Sequence, residues 1–200
     1  MRLQYGCNKN MKIQIKVLLF FTLFLLTKCG GSEQKNTTLI YYNLTGLLNS
    51  QIEILKNTPV QLEKTVYMNH KSDKVVEKNP DWKKILASFS ESDINKTAWI
   101  GFFRIDITES TEQLSSKNIA YKLLPEVTNI PVKKMEIYNY NHSVPDSINI
   151  YSEEKNLLFY SRKNLHIHFS DSTITFIGVD CLQKIKWMDT VNYGFRGNVR

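Results

Sequence analysis

Leu165-His166-Ile167-His168-Phe169 is the stretch that decides the fold class. Leu165, Ile167 and Phe169 fall on one face of an extended chain and His166 and His168 on the other, the alternation of a strand whose sheet is dry on one side only. The same period of two extends outward from it. It predicts strands at Ile100–Thr108, Asn118–Leu124, Pro131–Tyr140, Ser147–Glu153, Lys163–Ser170, Thr173–Lys186 (with Gly178 as a place to bend) and Thr190–Arg196. Short connections make consecutive strands antiparallel neighbours in a meander.

Nearer the N-terminus the period changes. Within Asn43–Asn57 the apolar residues Leu44, Leu47, Leu48, Ile52 and Leu55 form one helical stripe, which Pro59 ends. Val60–Asn69 and Lys74–Lys78 read as a hairpin turning at His70–Asp73. Asn79-Pro80-Asp81-Trp82 then reads as a helix start, with Asn79 as cap, Pro80 at the first position, and Trp82, Ile85, Leu86 and Phe89 on one apolar face. The expected class is therefore α+β: two N-terminal helices packed on a curved antiparallel meander sheet.

The first residues carry a different signal. Val17–Leu26 is a run of ten residues in which only Thr22 is polar, preceded by Lys12 and Lys16 and followed by Thr27-Lys28-Cys29. A basic start, a short apolar core and a closing cysteine make a secretory signal of the lipoprotein type, and the run is short of the roughly 20 residues that span a bilayer. Lys28 stands where a small residue is usual, which leaves an ordinary secretory signal or an uncleaved anchor as alternatives. MKIQIKVLL from Met11 is a better signal start than Met1. The expected organisation is a signal peptide over 1–28, a lipidated Cys29 with a flexible tether over 29–42, and a single α+β domain over 43–200. Acyl chains on Cys29 would hold the domain on a membrane of the cell envelope, expected to be the outer membrane, facing the periplasm or the cell surface.

Charge and cysteine count agree with that organisation. The formal charge is +7, but 1–28 holds five basic residues and no acid. Removing those five from the 26 basic residues leaves 21 against 19 acidic ones, about +2, interspersed as on a solvated surface, so no nucleic-acid partner is expected. Of three cysteines, Cys7 lies in or before the leader and Cys29 is the lipid site, so Cys181 has no mate for an intrachain disulfide.

Glu91-Ser-Asp-Ile-Asn-Lys-Thr-Ala-Trp99, Asn156-Leu-Leu-Phe-Tyr-Ser161 and the closing Gly178, Gln183-Lys184, Tyr193 and Gly197 resemble an uncharacterised lipoprotein family of the Bacteroidota. The resemblance covers roughly residues 44–197. It departs at Thr97, where a proline is expected, and at Phe159, which interrupts a Leu-Tyr pair. It implies an envelope lipoprotein and brings no activity, so it assigns no functional residue.

Chemistry-bearing patterns are sparse. His166-x-His168 offers two imidazoles on one strand face, with His142 or a nearby Glu as a third metal ligand, but alternate histidines on a wet face are commonly surface residues. Glu153-Glu154 and Asp106 with Glu109 are the nearest approach to paired carboxylates, and neither a nucleophile elbow, a zinc-protease helix nor a P-loop is present. No catalytic residue, metal ligand or cofactor is assigned. Tyrosines flanking the strands, among them Tyr41, Tyr42, Tyr140 and Tyr193, would either line an apolar cavity or fill it. Sequons at Asn36, Asn43, Asn95 and Asn141 and Asp-Ser/Thr triplets at Asp146, Asp171 and Asp189 match glycosylation patterns. The leading expectation is a lipid-anchored envelope protein whose domain binds or scaffolds. The alternatives are a carrier or sensor of an apolar ligand such as a lipid, and a metal-dependent hydrolase using His166 and His168.

Overall fold

The computed structural model describes residues 39–109, 116–141 and 144–200. The leader, Cys29, Asn36 and His142 lie outside them. Nine strands account for most of the described chain: β1 (Leu62–Met68), β2 (Lys71–Glu77), β3 (Phe103–Glu109), β4 (Lys117–Leu123), β5 (Val132–Tyr140), β6 (Ser147–Lys155), β7 (Phe159–Ser170), β8 (Thr173–Ile185) and β9 (Val191–Val199). All pair antiparallel in one sheet, ordered β2-β1-β9-β8-β7-β6-β5-β4-β3. From β3 to β9 the chain is a seven-strand meander, and the β1–β2 hairpin adds to its last strand. Gly197 permits this junction, because a Cβ there would stand 2.8 Å from Leu62 Cδ1.

Helix α1 (Leu44–Asn57) begins at Asn43, whose side chain accepts a hydrogen bond from Gly46 N at 2.9 Å. It ends at Thr58, held extended by the proline that follows. Its Leu44, Leu48 and Leu55 share one core with Ile148, Ile150, Leu165, Ile167 and Ile177 of the sheet, all 2% exposed or less. Each such side chain contributes roughly 1.5–3 kcal/mol by leaving water. Gln51, buried in the same stripe, donates to Ser172 O (2.8 Å) and accepts from Ile174 N (3.0 Å), which pins α1 to the β7–β8 turn.

The expectation of an α+β domain with two helices packed on the sheet is overturned. The described chain is mostly sheet, α1 is its one helix of several turns among the described residues, and only α1 packs on the sheet. The Trp82 segment is two short pieces, α2 (Trp82–Ile85) and α3 (Ala87–Glu91), broken at Leu86 with φ −90° and ψ 3°. Asp81, rather than Asn79, caps α2 by accepting from Lys84 N at 3.1 Å. Trp82, Leu86 and Phe89 are buried as their spacing implied, but α2 and α3 pack on α1. Residues 78–102 link one sheet edge, β2, to the other, β3, and the apolar face of α2 and α3 is buried against α1, so neither piece has an apolar face left for the sheet.

Glu91–Trp99 holds the crossing in place. Asn95, 7% exposed, accepts from Tyr41 N at 3.0 Å and donates to Tyr42 O at 2.8 Å, while Asp93 accepts from the Thr45 hydroxyl. Ile94 between them is fully buried. Glu91–Trp99 is thus a clamp on the entry to α1.

Candidate functional site

Three hairpin turns stand side by side along one end of the sheet, because β7 pairs with β8 and β9 with β1. They are the β6–β7 turn at 156–158, the β8–β9 turn at 186–190 and the β1–β2 turn at Asn69-His70. Asn156 builds the first: its side-chain oxygen accepts from Leu158 N (2.9 Å) and Phe159 N (2.8 Å). Lys186 N donates to Leu158 O at 2.8 Å, joining the first turn to the second. Asn69 joins the third, donating from its backbone to Asn192 O (2.6 Å) and accepting from Asn192 N through its side chain (2.9 Å).

This rim carries apolar side chains in water. Leu157 is 92% and Trp187 86% exposed, and Leu158, Met188 and Met68 are exposed beside them. Trp187 adopts φ 65°, a left-handed conformation that a bulky side chain enters only at a cost of roughly 1–3 kcal/mol. The Lys186 ammonium stands 4.6 Å from the Trp187 ring centroid. Lys155, Lys184 and Lys71 are exposed around the rim, with Glu154 and Asp189 the nearby acids. Leu157, Leu158, Trp187 and Met188, large apolar side chains clustered in water at the turn tips, mark an interaction surface there.

The predicted chemistry-bearing residues lie elsewhere. His166 and His168 do share the outer face, the one opposite α1, but each has a partner already. His166 Nδ1 is 2.9 Å from Asn149 Oδ1, and the His168 ring meets Phe176 edge-on with centroids 5.5 Å apart. Burial holds the His166 imidazole below the usual histidine range. Among the described residues no group of three His, Cys, Asp or Glu side chains is placed to hold a metal. Asp180, two residues along β8 from the Gly178 that pairs with His166, accepts from the Tyr67 hydroxyl and from Arg196 Nη2 (3.2 Å), a latch across β1, β9 and β8. Tyr67 reaches Asp180 over Gly194, where a Cβ would stand 2.7 Å from the Tyr67 hydroxyl. Burial first, and the bond to Asp180 second, push the Tyr67 phenol well above its ordinary value.

Glu153 and Glu154 point to opposite faces of β6. Glu153 accepts from the Tyr151 hydroxyl, which this bond and burial push up to about 12. Asp106 pairs with Arg104 (3.1 Å) and Lys122 (2.9 Å), and those two bonds lower its carboxyl; Glu109 closes the same strand without joining them in a carboxylate pair. Two sequon asparagines have structural work, Asn43 as the α1 cap and Asn95 in the clamp. Burial raises the Cys181 thiol above its ordinary value.

The tyrosines on the α1 side fill space. Tyr41 packs edge-on against Phe103 and Tyr121, Tyr42 against Tyr140, and the Tyr121 hydroxyl accepts from Tyr42 N at 3.1 Å. A second, smaller candidate is a cleft of about 200 Å³ between the clamp and β5–β7. Ser152 lies on its wall with a buried hydroxyl that has no hydrogen-bond partner. Lys96 closes one side, 3.9 Å from the Trp99 ring centroid and donating to Glu91 O at 2.6 Å, and burial lowers its ammonium.

Sequence reasoning missed the rim. Its one legible signal was Asn156 ahead of two leucines, an Asx turn that lifts the pair off the strand. No protein-family model, curated protein or solved structure matches the chain.

Proposed function

We propose that this is a lipid-anchored protein of the cell envelope, held by acyl chains on Cys29, whose sheet domain works by binding and not by chemistry. The observation that carries the reading is the apolar run Val17–Leu26 with its basic start and closing Cys29. Among the described residues no helix is long and apolar enough to cross a membrane, so none of them supplies a helical span in place of that anchor. The exposed apolar rim supports binding, and the engagement of His166, Glu153 and Asp106 in local bonds and of His168 in a ring contact weighs against a hydrolytic site. The filled core between α1 and the sheet favours a binding surface over a carrier of buried apolar cargo. Metabolic labelling with an alkyne analogue of palmitate tests the anchor. Wild-type protein takes up label and Cys29→Ala does not; equal labelling of the two refutes the reading.

A further inference from the structure

The geometry points to a second membrane contact: the rim formed by Leu157, Leu158, Trp187 and Met188 lies in the interface of the bilayer that holds the protein. This rests on the proposed anchor at Cys29 for its proximity. Nine residues separate Cys29 from Leu39, where the described domain begins, and the ten Cα-to-Cα steps between them span at most about 35 Å. A domain so tethered stays within about that distance of the bilayer, which raises the local concentration of any lipid-binding surface it carries.

The rim is the surface whose chemistry matches. Its apolar side chains sit at the tips of two hydrogen-bonded hairpin turns, so they can enter the headgroup region without unpairing a strand. Trp187 supplies the amphipathic ring that prefers the boundary between headgroup and hydrocarbon. Lys155, Lys184 and Lys186 stand behind the tips, on stems long enough to bury methylenes while each ammonium meets an anionic headgroup. A protein partner would accept the same apolar tips, but the cation ring and the short tether both favour lipid. The strained Trp187 backbone has an account on this reading, since it aims the indole away from the sheet.

The chain has three tryptophans, Trp82, Trp99 and Trp187, so Trp187 can be read by difference from Trp187→Phe. Full-length protein, wild-type and Cys29→Ala, is reconstituted with vesicles of phosphatidylethanolamine and phosphatidylglycerol containing acyl-brominated lipid. The proposal predicts that the Trp187 component is blue-shifted, quenched by bromine and shielded from iodide in the wild type, and that Lys184→Glu with Lys186→Glu weakens the quenching. Quenching in both proteins supports a rim that docks by itself. Quenching in the wild type alone supports one that needs the anchor. A Trp187 component that is unquenched and open to iodide in both overturns the proposal and leaves the rim to a protein partner. Palmitate labelling reads the anchor separately, so failure of the anchor and failure of the rim are distinguishable.

Discussion

Replacing Asn95 with alanine tests whether the crossing segment is held as described. The side chain joins the backbone of Tyr41 and Tyr42 through two hydrogen bonds, at 3.0 and 2.8 Å, in a place where Asn95 is 7% and Tyr41 6% exposed. Alanine leaves one donor and one acceptor without partners, each costing about 1–3 kcal/mol where water cannot reach. The Tyr42 carbonyl is only partly buried and regains some solvation, so the expected loss is about 2–4 kcal/mol. With a urea slope of about 2 kcal/mol/M, the unfolding midpoint falls by roughly 1–2 M at unchanged slope. Far-ultraviolet circular dichroism and tryptophan emission, recorded on the same samples, provide the assay. Asn95→Asp gives a second reading: it keeps the acceptor for Tyr41 N but sets an oxygen against Tyr42 O and Asp93, and is expected to be no better than alanine. A midpoint shift below about 0.3 M for Asn95→Ala would refute the clamp, because such a loss is smaller than one unsatisfied buried group.

Gly194→Ala should prevent stable folding, since a Cβ there would stand 1.9 Å from Val179 O, a backbone atom that cannot swing aside; a protein with native circular dichroism and an unshifted melt contradicts that packing. Ser152→Ala removes a buried hydroxyl without a partner and is expected to leave stability unchanged or raise it by up to about 1 kcal/mol, so a clear loss in a urea melt would reveal a bond to that hydroxyl. His166 holds its proton less tightly folded than unfolded, chiefly through burial, with Arg196 and His168 also lowering its affinity and Asp180 opposing them. The unfolded chain therefore takes up the proton first as pH falls through about 6.5, and the stability present above that pH declines. His166→Gln should flatten the fall in melting temperature between about pH 6.5 and 5, whereas parallel curves for the two proteins would contradict the assignment.

The strands were legible because alternation is a local property. Leu165, Ile167 and Phe169 face the core, and His166 and His168 face outward, as their spacing required. The strands expected at Pro131–Tyr140 and Thr173–Lys186 differ from β5 and β8 by one residue at one end. Pairing of β1 with β9 left no such trace, since it joins segments more than a hundred residues apart through the small size of Gly197. The broken helix escaped because the burial of Trp82, Leu86 and Phe89 suits a continuous helix as well as two pieces. Gln51 left no apolar signal in the helical stripe, although it is buried there and its amide makes two bonds that fix α1. At the rim the limit is physical: Leu157 and Trp187 carry the same hydrophobicity as core residues, and only the turn geometry shows that they face water.

The most direct test of the account is the intact mass of the protein extracted from the membranes of its own cell. The account predicts a chain that begins at Cys29 and carries diacylglycerol and acyl additions there. A mass for the unmodified chain, whether it starts at Met1, at Met11 or within the leader, would contradict it.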